Sequence, residues 1–76
     1  MQITVRLFGR LREHLPQAQR GRATLALRAD ATVQDVLDQL TIAEHVTVAI
    51  NDEHASEGDT LGDGDTVQIF EVAAGG

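Results

Sequence analysis

The chain has 76 residues and a mass of 8.2 kDa, with 42% hydrophobic and 24% charged residues. That is one small globular domain, burying only about 60–65% of its unfolded surface. Cysteine is absent, which excludes disulfides, thiolate metal sites and thiol catalysis. The net charge of −6 sets the chain against nucleic acid, whose phosphates would repel it.

In chain order, residues 2–8 alternate, with Ile3, Val5 and Leu7 on one face and Thr4 and Arg6 on the other, as a strand does. Gly9 interrupts the pattern. Arg10–Leu15 then suits a short helical turn with Leu11 and Leu15 facing inward, and Pro16 biases Leu15 away from helix and stops the turn there. Residues 22–28 alternate around Ala23, Leu25 and Leu27, a second strand too far along the chain for a tight hairpin with the first. Val33, Val36, Leu37 and Leu40 form the i, i+3, i+4, i+7 stripe of an amphipathic helix. Thr32 with Asp35 makes a near capping box, and Asp30 is a second candidate cap.

Residues 46–50 alternate again around Val46, Val48 and Ile50, and Asn51–Asp52 reads as a turn. Residues 53–65 are acidic, glycine-rich and mostly loop, with room for one short strand and with Leu61 as inward anchor. The last strand is expected at 66–72. There Val67 and Ile69 share one face while Phe70 and Val72 share the other, which predicts a twist or bulge near the sheet's end. The order predicts an α+β fold of the β-grasp kind: a mixed sheet of four to five strands packed on one main helix. One helix covers one sheet face, so the face bearing Phe70 is expected to stay partly open. Core packing of Phe70 is the competing expectation.

All six basic residues are arginines within residues 1–28, where Glu13 is the single acid, so that stretch carries +5. Residues 29–76 hold eleven acids and no base, and carry −11. Two readings of this asymmetry stand: simple solubility, or an acidic face that steers the chain to a basic partner. No apolar run reaches the roughly 18–20 residues of a membrane span. MQITVRLF has no secretory pattern either, so a cytoplasmic protein without membrane partners is expected.

Enzymatic constellations are nearly missing. Ser56 has no neighbouring base, and His14, His45 and His54 lack ligand spacing. The run Asp59, Asp63, Gly64, Asp65 fails as a calcium loop, because its twelfth position is Phe70 where a bidentate glutamate is required. Gly62-Asp63-Gly64 fails as a phosphate cradle, since Asp63 and Asp65 would repel the anion. The chain is expected to be no enzyme by itself, with no metal and no bound cofactor.

The end of the chain is different. Ala73-Ala74-Gly75-Gly76 follows the last strand with nothing to fold it, which suggests a domain over 1–72 and a flexible tail over 73–76. Either the tail merely frays, or its α-carboxylate works. That carboxylate is ionised at neutral pH without help and can attack an activated phosphate to form an acyl-adenylate. Glycines let such a tail thread a narrow channel. From Val72, the four further residues extend at most about 14 Å.

The stretch from Leu61 to Gly76, with its Gly-Asp turn, Phe70 strand and Val72-Ala-Ala-Gly-Gly76 ending, resembles the ubiquitin-like sulfur carriers of the MoaD/ThiS family. Ala31-Thr-Val-Gln-Asp-Val-Leu37 is similar to that family's helix start, and Ala49-Ile50-Asn51 to its Val-Asn before a turn. Phe8-Gly9-Arg10-Leu11-Arg12-Glu13 looks more like the molybdopterin branch, the small subunit of molybdopterin synthase. Many members of that branch carry two prolines after the last phenylalanine; Glu71-Val72 is nearer the thiamine-type ending. The resemblance implies a β-grasp fold and adenylation of Gly76 by an E1-like enzyme that uses ATP. A sulfurtransferase would then supply sulfur for a C-terminal thiocarboxylate. It implies Gly75, Ala74 and Ala73 as channel residues, Phe70 and Val72 at the partner interface, and the large subunit of molybdopterin synthase as a further partner. Thiamine-pathway or tRNA-thiolation carriage, or conjugation to proteins through Gly76, stay open as alternatives. The chain has no lysine, so it could not extend itself through side-chain isopeptide bonds.

Overall fold

The structure, a computed structural model, describes residues 1–72. The expectations placed on Ala73, Ala74, Gly75 and Gly76 lie outside the described residues. Five strands form one mixed sheet: β1 (Gln2–Leu7), β2 (Arg22–Ala26), β3 (Val46–Ile50), β4 (Glu53–Ala55) and β5 (Thr66–Glu71). Their spatial order is β2-β1-β5-β3-β4. The central pair, β1 and β5, is parallel, with Val5 beside Val67 and Leu7 beside Ile69, and the other neighbours are antiparallel. One helix, α1 (Val33–Gln39), links β2 to β3 across one face. This is the β-grasp arrangement, an α+β fold as the strand and helix periods predict. No helix among the described residues is long and apolar enough to cross a membrane.

The alternating positions supply the core. Ile3, Val5, Leu7, Val48, Val67 and Ile69 are buried on the sheet face that meets Val33, Val36 and Leu37 of α1. Each such side chain contributes about 1.5–3 kcal/mol on burial, which for a chain this short is a large share of its stability. The connections add Leu11, Ile42 and Leu61 to the same cluster. Leu61 is the anchor expected of the acidic loop; Ile42 and the small Ala31 and Ala55 carry too little pattern of their own to be singled out in advance.

Local chemistry places the ends of these elements. Thr32 is the N-cap of α1, and the Asp35 carboxylate accepts the Thr32 N–H at 2.8 Å and its hydroxyl at 3.2 Å. The next two orphan donors of the helix, the N–H groups of Val33 and Gln34, are taken by the Asp59 and Glu57 carbonyls. Asp30 does not cap the helix. It accepts from Arg28 at 3.0 Å, because the chain turns at residues 29–30, ahead of the first helical turn. Asn51 and Asp52 both have positive φ, 51° and 71°, which is the two-residue hairpin turn between β3 and β4. Gly9–His14 is a 3-10 turn that buries Leu11, and Leu15 leaves it with extended backbone ahead of Pro16, as expected. A second short 3-10 turn, Gln17–Gln19, was not foreshadowed by any apolar period.

Two expectations are corrected. No bulge interrupts β5: its register with β3 runs unbroken from Val46–Glu71 to Ile50–Val67. The change of apolar face within 67–72 is plain alternation, with Phe70 on the outer face of a regular strand. The first strand ends at Leu7 and the second at Ala26, short of residues 8 and 28, because the 3-10 turn and the approach to α1 take the chain away. Between 53 and 65 the short strand that the sequence leaves room for is β4, Glu53–Ala55, paired to β3 through the hairpin turn.

Candidate functional site

β5 delivers the chain to its tail, so the site is built around the last described residues. Among the described residues no element covers the face of the sheet opposite α1. Gln68 and Phe70 lie on it, and Thr47 of β3 is the cross-strand partner of Phe70. On the other side, pairing of β1 with β5 brings Phe8 beside Phe70, and the Phe8 N–H donates to the Ile69 carbonyl at 3.1 Å. The two rings stack with centroids 4.5 Å apart and planes 13° from parallel. The guanidinium of Arg6, two residues before Phe8 on the same face, lies 5.4 Å from the Phe8 ring centre. Phe8 and Phe70 are each half-buried. Val72, at 42% exposure, is the one large hydrophobic residue counted as exposed among those described.

The expectation that the Phe70 face stays partly open holds over core packing: the ring is half-buried outside the helix-facing core, with Phe8 as aromatic partner. Phe8 was not singled out as a site residue. The signal that would have found it is parallel pairing of the first and last strands, which no local pattern reports.

Glu71 sits on the other side of the strand from Phe70. Its carboxylate accepts the Arg10 N–H at the start of the 3-10 turn. Gly9 permits this approach: its φ is +61°, and a Cβ there would overlap the Glu71 carboxylate. The root of the tail is thus gripped by the stacked Phe70 on one side and by Glu71 on the other.

The candidates rejected on sequence remain dispersed. His14 contacts Glu44 at 3.2 Å, while His45 and His54 lie exposed on β3's approach and on β4. Glu44 is held below the usual glutamate range, chiefly by its own backbone N–H and then by His14. The acidic loop is built of turn acceptors. Asp59 takes the Ser56 N–H at 2.9 Å, Asp63 the Gln2 N–H at 2.7 Å, and Asp65 the Gly62 N–H at 2.7 Å and the Asn51 amide at 3.0 Å. Among the described residues no group of three or more His, Asp or Glu is placed to hold a metal ion. What the described residues present together is the open sheet face beside the end of β5.

A β-grasp body whose last strand runs out beside an open aromatic face defines a ubiquitin-like protein. The chain belongs to the ThiS family, whose model matches residues 5–76. Among solved structures it is similar to SAMP1 from Haloferax volcanii, at 27% identity and a TM-score of 0.78, covering 100% of both chains. The Haloferax volcanii HVO 2177 protein is similar at 27% identity and a TM-score of 0.81, over 100% of this chain and 87% of that one. A putative molybdopterin converting factor subunit 1 from Pyrococcus furiosus shares the fold at 22% identity and a TM-score of 0.78, over 96% of this chain and 99% of that one. No curated protein matches the sequence.

Proposed function

We propose that this chain is a sulfur carrier whose working group is the α-carboxylate of Gly76. An E1-like enzyme uses ATP to adenylate it: a carboxylate oxygen attacks the α-phosphorus and pyrophosphate leaves. A sulfur nucleophile supplied by a sulfurtransferase then displaces AMP, and the product is a thiocarboxylate. The carrier itself needs no bound cofactor and no catalytic side chain, and the cytoplasm is its proposed compartment. The observation that carries this reading is that the family match runs through the final Gly75-Gly76, beyond the last strand. The Phe8–Phe70 face beside Val72 supports it by offering a half-buried apolar anchor next to the end of β5.

Molybdopterin synthesis is the proposed destination. A Helicobacter pylori neighbour, at 19% identity and a TM-score of 0.62, is a complex of subunits 1 and 2 of a molybdopterin-converting factor. On that pattern a large subunit would receive the tail of this chain, with Phe70 and Val72 in the contact. A second reading, conjugation to proteins through Gly76, is favoured by the likeness to a Haloferax volcanii small archaeal modifier protein at 25% identity. Both readings share the adenylate and differ in what attacks it.

The test is chemical. With the cognate adenylating enzyme, ATP and a sulfur donor, intact-mass spectrometry should record exchange of one oxygen for sulfur at Gly76. One residue added after Gly76 moves the nucleophile by about 3.5 Å and should abolish the exchange. Equal modification of the extended chain, with no protease present, would overturn the carrier reading.

A further inference from the structure

Two arginines face each other on the open side of the sheet. Arg6 of β1 and Arg22 of β2 are direct cross-strand partners, and both are exposed. Like charges placed opposite one another work against strand pairing, so the fold gains nothing from them. Neither takes part in an ion pair among the described residues, whereas Arg28 binds Asp30 and Asp35 at 3.0 and 3.1 Å. Around the pair the floor is polar. Thr4, Thr24, Thr66 and Gln68 line the same hollow of about 550 Å³. The one carboxylate lining it, Asp52, accepts from the Gln68 amide at 2.8 Å. Arg6 is further supported by the Phe8 ring. A guanidinium laid on an aromatic ring keeps the N–H donors along its edge free for a carboxylate.

We infer that this hollow docks an acidic segment of a partner protein, with carboxylates taken by Arg6 and Arg22. The inference deepens the carrier reading and rests on it for the identity of the partner, the enzyme that adenylates Gly76. The hollow is continuous with the Phe8–Phe70 patch through Arg6, so an acidic segment held there lies beside the surface from which the tail emerges. Charge complementarity selects a protein over a nucleic acid. A chain of net charge −6 repels a polyphosphate along its length, while a short acidic segment meets only the two local cations. The open face thus presents arginines, while Asp59, Asp63 and Asp65 accept backbone N–H groups in turns.

The experiment titrates the isotope-labelled full chain with an oligoglutamate peptide, its glutamine analogue and a single-stranded oligonucleotide, followed by amide NMR. The glutamate peptide should shift Arg6, Arg22, Thr24 and Gln68, weaken as salt is raised, and lose about threefold or more in affinity with Arg22→Gln, the scale of one exposed ion pair. Arg28→Gln removes the same charge outside the hollow and should leave binding unchanged. Arg6→Lys, which keeps the charge, should bind more weakly than the native chain. Equal losses in Arg22→Gln and Arg28→Gln overturn the site. Tighter binding of the oligonucleotide does so too, as do shifts that depend on protein concentration and point to a second copy as occupant. With the cognate adenylating enzyme, Arg22→Gln should raise KM about threefold at unchanged kcat, and an unchanged KM overturns the docking role. If the native chain is not adenylated at all while the peptide still binds at Arg6 and Arg22, the carrier reading fails and the acidic-segment site stands.

Discussion

Glu71 lies over Gly9 and accepts a hydrogen bond from the next residue's backbone, so the last residue of β5 is tied to the turn that follows β1. The tie joins positions 61 residues apart in the chain. It limits where Val72 can point, and with it where the tail begins.

Gly9→Ala should therefore damage both stability and delivery. A non-glycine residue at φ +61° costs about 1–2 kcal/mol, and the new Cβ displaces the Glu71 carboxylate as well. Denaturant unfolding should show a lower midpoint, and adenylation of Gly76 should slow. Glu71→Gln, which keeps an acceptor, should restore most of what Glu71→Ala loses.

The aromatic pair separates docking from folding. Phe70→Ala should cost about 0.5–1.5 kcal/mol for the lost stack, plus the area it half-buries, and leave the circular dichroism spectrum native. Affinity for the adenylating enzyme should fall at least about tenfold if the ring is an anchor. Loss of the native spectrum would assign Phe70 to the fold instead.

Leu11 shows how far the core depends on a connection. It is buried to 1% exposure from within a 3-10 turn, and Leu11→Ala should destabilise by about 2–5 kcal/mol. Calorimetry or chemical denaturation would measure it. A loss below 1 kcal/mol, far under the roughly 2 kcal/mol floor for a packed leucine, would mean the turn is not part of the core.

The helix cap predicts a pH dependence. The Thr32 N–H holds the Asp35 carboxyl below its ordinary range; desolvation opposes it, and the Arg28 guanidinium and then the Thr32 hydroxyl add lesser lowering effects. The folded value is the lower one, so the charged cap stabilises above the unfolded aspartate value of about 3.9 and is lost as pH falls through the folded value. Asp35→Asn should accordingly unfold earlier than the native chain at neutral pH, with the gap closing in acid. A gap that persists unchanged at the lowest pH would remove the carboxylate from the account.

The features legible in the sequence are local. Period-two runs marked the strands and the 3.6-residue stripe marked α1. Thr32 with Asp35 marked its start, Pro16 the end of a turn and Asn51–Asp52 a hairpin, because each depends on backbone preferences within a few residues. The same alternation put Phe70 opposite Ile69 on its strand, though not what would meet it there. That β1 lies parallel to β5 is a long-range result. Strand order is settled by burying the whole apolar face at once, and no short window carries that information. From it follow the Phe8–Phe70 stack, Glu71 over Gly9, and Arg6 beside Arg22 on the face left open.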